Sequence, residues 1–345
     1  MALRPVPWAI GNGAENSVEL ARAGVYAGTA GSTGIIEPSD FRVAALPTPG
    51  AAVRVLKGSG VIKSTYPGVF GQSYVVQEQS YTDVPVAATG SSGGSTKYVY
   101  VLIQDTQYGG QNPPSVENGP YNSYAVTTTL PANQPYLLLA KIVQPASTAT
   151  ITGAMITDSR TVAIPWRDNV IYARSRLMSD DDPRQNFCNA RYKGANGEWY
   201  GEYFPGGDGS PSETSFFIPD RATHMSIRAD WLAVRGVSGK NAHGRYWVEY
   251  GDDYRAHTWP GGRQLEFATQ QFAFDTTGTQ GSYRMNWAVM DQVPVPKKLR
   301  GKTVRFAFKA GLSPDADTNG VMMNALSGLG LDVTFTQKPI DEDTL

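Results

Sequence analysis

The groups in this chain that could do covalent chemistry are few and poorly arranged for it. Its three histidines, His224, His243 and His257, are widely spaced, and neither a G-x-S-x-G elbow nor an H-E-x-x-H pair occurs. Paired carboxylates beside aromatic rings could supply the acid and base of a glycosidase. Glu198 and Glu202 flank Trp199-Tyr200, and Asp252-Asp253 precede Tyr254, but solvated loop charges account for the same residues. Asp315-Ala316-Asp317-Thr318-Asn319-Gly320 reproduces the first half of a calcium loop, in which alternate side-chain oxygens converge on the ion. Leu326 occupies the position of the bidentate glutamate, which excludes a complete EF-hand. A calcium site on Asp315, Asp317 and Asn319, completed by backbone or distant carboxylates, stays open beside a plain Asx-rich turn. No other cofactor is expected. Gly11-Asn12-Gly13 and Gly58-Ser59-Gly60 lack the following Lys-Ser/Thr of a phosphate cradle and read as turn glycines.

Aromatic residues in polar loops point to a different chemistry. Trp199, Tyr200 and Tyr203, and then Tyr254, His257 and Trp259, lie in Gly/Pro/Asp-rich segments. Flat rings beside carboxylates and arginines suit sugar faces or a protein partner, so these six residues form a candidate ligand set. Rings that cap the ends of a sandwich or fill a subunit interface would look the same.

The rest of the chain must position such residues. Its 345 residues suffice for two domains with separate cores. Apolar residues make up 41% and charged residues 18%, which is a globular composition. A formal net charge of -1 argues against binding by phosphate neutralisation, so no nucleic-acid partner is expected. The single cysteine, Cys188, excludes an intrachain disulfide and reads as a small buried apolar group. The N-terminus lacks the apolar core of a signal peptide, and no run approaches the roughly 20 apolar residues of a membrane span. Synthesis in a cytoplasm, without membrane insertion, is expected.

Composition changes near Pro165. Residues 1–165 hold nine basic and nine acidic residues, and Trp8 is their only tryptophan. The remainder holds twenty-one basic and twenty-two acidic residues and six tryptophans. The first half has one short amphipathic helix over Val18, Leu20 and Ala21, ending near Gly24, followed by strands with Gly/Ser/Pro-rich loops. Tyr136–Val143 is a short apolar run that reads as a strand buried on both faces. The second half alternates strictly. Apolar residues occupy every other position in Met225–Trp231, Tyr246–Tyr250, Tyr283–Val289, Val304–Phe308 and Leu331–Phe335. Each such strand buries one face, and eight or so in about 150 residues predict an antiparallel β-sandwich of jelly-roll or lectin-like form. Trp231 and Trp287 fall in phase with the core, whereas Trp247 is out of phase and faces outward or toward another subunit. The expected organisation is all-β with one short N-terminal helix. Residues 1–165 form a small β domain, 166–184 a linker, 185–337 the sandwich, and 338–345 a frayed acidic tail. At the junction, Asp158, Arg160 and Trp166 are candidates for fixing domain–domain or subunit–subunit geometry.

The first half also carries a spaced set of features. A short helix leads to I-x-P-x-D-F-x-V at Ile36–Val43, then P-x-P-G-x-x-V-x-V at Pro47–Val55 and the glycines Gly58 and Gly60. Lys97–Ile103, Leu139–Ile142 and Ile156–Arg160 follow. Over about residues 14–165 this resembles the N-terminal module of minor tail proteins from long-tailed phages, particularly those infecting actinobacteria. It is also similar to the attachment end of baseplate and receptor-binding proteins. The resemblance implies a non-enzymatic virion protein in the phage tail. Its N-terminal module would dock on other tail proteins as part of a homo-oligomer, with a trimer favoured. Its C-terminal domain would vary with the host surface and could contact a host glycan. A polysaccharide-degrading tail enzyme and a purely architectural tail component are the alternatives.

Overall fold

The computed structural model describes residues 17–175, 186–192, 201–206, 212–251, 269–278 and 281–340. Among the described residues the fold is all-β and antiparallel with one α-helix. Among the described residues, no helix is long and apolar enough to cross a membrane. The chain forms two units, one of Met1–Pro165 with Lys338–Thr344 and one of Trp166–Gln337.

Unit 1 begins with helix α1, Val18–Gly28, whose N-cap Ser17 accepts the Leu20 N–H at 3.4 Å. Strands β1 (Gly34–Ile35) and β2 (Val43–Ala45) both pair with β3 (Ala52–Lys63), which forms a long hairpin with β4 (Ser73–Pro85). Phe41 has a left-handed φ of 52° and is buried beneath this sheet. A Cβ on Gly58 would lie 2.2 Å from the Phe41 nitrogen, so glycine there permits the turn before β2 to approach β3 closely. A second sheet has the order β6 (Asn122–Thr127), β5 (Ser95–Ile103), β7 (Tyr136–Gln144), β8 (Ile156–Asp158).

The apolar run in β7 is not buried on both faces. Register slips by one residue opposite Val99/Tyr100, leaving Leu139 as the extra residue of a bulge. Leu139 and Ala140 therefore both enter the core, with Leu137 and Ile142, while Val143 is 51% exposed. The bulge, invisible in composition, lets one half-covered strand look like a doubly buried one.

Unit 2 contains β9 (Arg167–Ser175), β10 (Asn186–Phe187), β11 (Glu202–Tyr203), β12 (Glu213–Ile218), β13 (His224–Gly236) and β14 (Asn241–Tyr250). It continues with β15 (Gln270–Asp275), β16 (Tyr283–Pro294), β17 (Lys302–Leu312), β18 (Val321–Met323) and β19 (Gly328–Thr336). One sheet runs β16-β13-β19-β9, with β18 and β10 continuing beside the far end of β13. The other runs β12-β17-β14-β15, with β11 also on β17. Numbering the eight main strands along the chain gives the orders 1-8-3-6 and 2-7-4-5, which is jelly-roll topology. The alternating residues of both sheets meet in one core. Trp287 is stacked between Tyr246 at 4.7 Å and Phe272 at 4.4 Å, and Trp231 meets Phe308 edge-on at 4.9 Å. Buried Trp231 donates its indole N–H to the Phe204 carbonyl at 3.0 Å, so its one polar atom is satisfied.

Two segments differ from the sequence expectation. Residues 167–175, expected within a linker, form β9 and pair with β19 from Arg167↔Thr336 to Ser175↔Gly328. Only Val170 and Tyr172 carry its inward face, and the charges around them mask the period of two. At the other end, Lys338–Ile340 is not frayed. Ile340 is 9% exposed, its N–H donates to the Pro38 carbonyl, and its carbonyl accepts from Arg160. The residues beyond it lie outside the described structure.

Candidate functional site

The site is built on the outer face of the β12-β17-β14-β15 sheet. In β14, Tyr246, Val248 and Tyr250 point into the core, so Arg245, Trp247 and Glu249 occupy the opposite face. In β17, Phe306, Phe308 and Ala310 are core, which leaves Lys309 on that face, directly opposite Trp247 in register. On the other side of β17, Tyr203 pairs with Lys309. The row Tyr203–Lys309–Trp247 thus crosses three strands, with Glu249 one step along β14.

These groups are tightly engaged. The Lys309 ammonium lies 4.4 Å from the Tyr203 ring centroid and 4.0 Å from Glu249 Oε2. Trp247 donates its indole N–H to Glu249 Oε1 at 2.8 Å. Trp247, Glu249 and Lys309 are buried although they sit outside the core. Gly201 shows how they are covered. It adopts a φ of +64°, and a Cβ there would lie 2.3 Å from the Trp247 ring, so only glycine lets the chain rest on that indole. Beside the row, the Arg245 guanidinium stands 4.9 Å from the Tyr192 ring. On the β12 side, Arg305 reaches Glu213 at 3.5 Å. What reaches the surface of this face is half-buried Tyr203, Tyr192, Arg245 and the Arg305–Glu213 pair, over a buried layer of Trp247, Glu249 and Lys309. Rings beside charges suit flat apolar faces edged by hydroxyls.

Of the six residues read from sequence as a ligand set, the structure places Tyr203 on this face. Trp199, Tyr200, Tyr254, His257 and Trp259 lie outside the described residues, as do Glu198, Asp252 and Asp253. Glu202 is no free acid. Its carboxylate accepts the backbone N–H groups of Asn189 and Ala190, the latter at 2.9 Å. Cys188 is fully buried, and burial, reinforced by Glu202, pushes its thiol well above the ordinary range, so it stays protonated and unreactive.

The half-calcium motif does not gather its oxygens. Asp315 Oδ1 lies 3.2 Å from His243 Nε2, Asp317 Oδ2 accepts the Asn241 N–H at 2.7 Å, and Asn319 exchanges two hydrogen bonds with Asn189. Each side chain ties the turn to a different neighbour, while Ala316 between them is buried. Among the described residues, no group of three or more His, Cys, Asp or Glu could hold a metal ion. The motif is an Asx-rich turn with Asn319 in the left-handed region, at φ 55°.

Asp158 and Arg160 belong to unit 1 and Trp166 to unit 2. The Arg160 side chain is 1% exposed; it chelates Asp158 at 2.7–3.2 Å and donates to the carbonyls of Asp40 at 2.6 Å and Ile340 at 3.2 Å. It is thus an internal clamp on the returning C-terminal segment. Trp166 donates its backbone N–H to the Gln337 side-chain Oε1 at 3.1 Å, and its carbonyl accepts the Gln337 backbone N–H at 3.1 Å.

Sequence reading missed the Lys309–Glu249 pair. The signal was present: Glu249 and Lys309, like Trp247, are out of phase with the apolar residues of their own strands. Register, which sequence does not supply, is what joins them.

No family model matches the chain, and no curated protein matches it. Among solved structures it is similar to that of infectious bursal disease virus Gx strain, at 11% identity and TM-score 0.23, covering 89% of this chain and 72% of that one. It is similar to the infectious bursal disease virus VP2 subviral particle at 12% and 0.23, covering 90% and 68%. The N-terminal CBM22-1-CBM22-2 tandem domain of Paenibacillus barcinonensis Xyn10C gives 10% and 0.20, covering 90% and 99%. TM-scores of this size carry no argument about fold or function.

Proposed function

We propose that this chain is a non-enzymatic structural protein of a phage virion, placed at the tail tip or baseplate. Unit 1 is its attachment module and the jelly roll its host-facing module, with a cell-surface glycan as the ligand class. The observation that carries this reading is the division of labour along the chain. The segment that resembles tail-attachment modules coincides with unit 1, and the outward aromatic–charge face belongs to unit 2. Jelly rolls serve many functions, so the argument rests on that face and not on the fold. In a homo-oligomer, a trimer in this proposal, several weak faces act together, and avidity turns each into useful attachment.

Binding of the full-length protein to cell-wall glycan of the host tests the reading. Tyr203→Ala removes the ring that contacts Lys309 and should weaken binding about tenfold, the scale of an interface anchor, with an unchanged circular dichroism spectrum. Equal binding by the variant, or none by the parent protein, would overturn the glycan reading. Release of reducing ends from the same preparations would instead establish the polysaccharide-degrading alternative.

A further inference from the structure

Helix α1 is held to unit 1 by polar contacts. Arg22 donates to Asp105 at 2.6 Å, to Tyr74 at 3.4 Å and to Gln107 at 2.7 Å, and its guanidinium lies over the Tyr74 and Tyr108 rings at 5.4 and 5.3 Å. No residue of the helix is buried, although Val18, Ala21 and Val25 make an apolar stripe at helical spacing. That stripe forms one wall of a cavity of about 390 Å³, and Val75, Ile103 and Tyr121 contribute to the others. Val18 and Val75 are each 63% exposed. Scattered exposed apolar residues are ordinary, but several lining one groove of ligand-binding size are not.

The chain supplies a fitting occupant. Immediately before the N-cap Ser17 come sixteen residues, Met1–Asn16, among them Val6-Pro7-Trp8-Ala9-Ile10. Pro5–Ala14 carries no charge, which suits a groove whose charges, Arg22 and Asp105, already pair with each other. Gly11-Asn12-Gly13 provides turn chemistry between the apolar segment and the helix. Eight residue steps lead from Ile10 to Val18, a reach of up to about 26 Å, and the helical wall from Val18 to Val25 is only about 10 Å long. We propose that Trp8–Ile10 of the same molecule occupies the α1 groove and completes the apolar face of the helix.

Cysteine trapping in the full chain tests this. Ala9→Cys combined with Val75→Cys should form an intramolecular disulfide under mild oxidation, seen as a monomer that has lost two hydrogens. It should form at least about tenfold faster than with Val143→Cys, an exposed strand position remote from the groove, as the effective concentration of a seated arm requires. Cys188 is buried and leaves the assay silent. Equal rates for the two pairs would overturn the proposal, and disulfide-linked dimers would place the arm on a second copy instead. Should the cysteine variants fail to fold, amide exchange decides the question. Trp8→Ala should speed exchange of the α1 amides about tenfold, and unchanged exchange would also overturn the proposal.

Discussion

At the scale of single residues, the most informative group is the buried pair Lys309–Glu249 on the outer face of the jelly roll. Removing one member of such a pair strands the other charge in a poorly solvated place and costs about 3–5 kcal/mol. Lys309→Met should therefore lower the stability of unit 2 steeply in urea. Adding Glu249→Gln keeps an acceptor for the Trp247 indole while removing the orphan charge. The double variant should regain at least about 1 kcal/mol relative to strict additivity. Additive losses would mean that the two side chains do not interact. Arg160 makes the complementary point. Its three acceptor groups, a carboxylate and two carbonyls, all lie within unit 1, so its position near the chain junction says little about its partners.

At the scale of elements, legibility depended on how cleanly apolar residues alternate. β13, β14, β16, β17 and β19 were readable because each carries several aromatic or branched residues in strict phase. β9 was not, because Val170 and Tyr172 sit among Arg167, Asp168, Asn169 and Arg174 and resemble a linker. β7 misled in the opposite direction, since a bulge at Leu139 concentrates apolar residues without covering both faces. The aromatic–charge face of the jelly roll was partly legible. Tyr203 and the phase of Trp247 could be read, but the row that joins them depends on pairing across β11, β17 and β14. The role of β9 as a true sheet strand can be measured. Tyr172, which packs 6.5 Å from Phe308 between ring centroids, should cost about 2 kcal/mol when changed to alanine, a partly buried instance of a core truncation. Ile171, 68% exposed on the other face, should change stability by no more than about 0.5 kcal/mol. Equal effects at the two positions would mean that β9 is a tether lying on the sheet and not part of it.

At the scale of the whole molecule, the chain joins two units with separate cores, and after unit 2 the segment Lys338–Ile340 returns to unit 1. All-β class and the jelly-roll sandwich follow from alternation and strand number, and both are present. What could not be read was the return of the C-terminal segment, because the contacts of Ile340 with Pro38 and Arg160 join residues far apart in sequence. In the proposed virion, unit 1 would be engaged with the tail while the jelly roll faces outward. Immunogold labelling of purified virions of the phage that this proposal requires, with antibody raised against the jelly-roll unit, tests that arrangement most directly. The account predicts label concentrated at the distal end of the tail; label on the capsid, or none on intact virions, would contradict it.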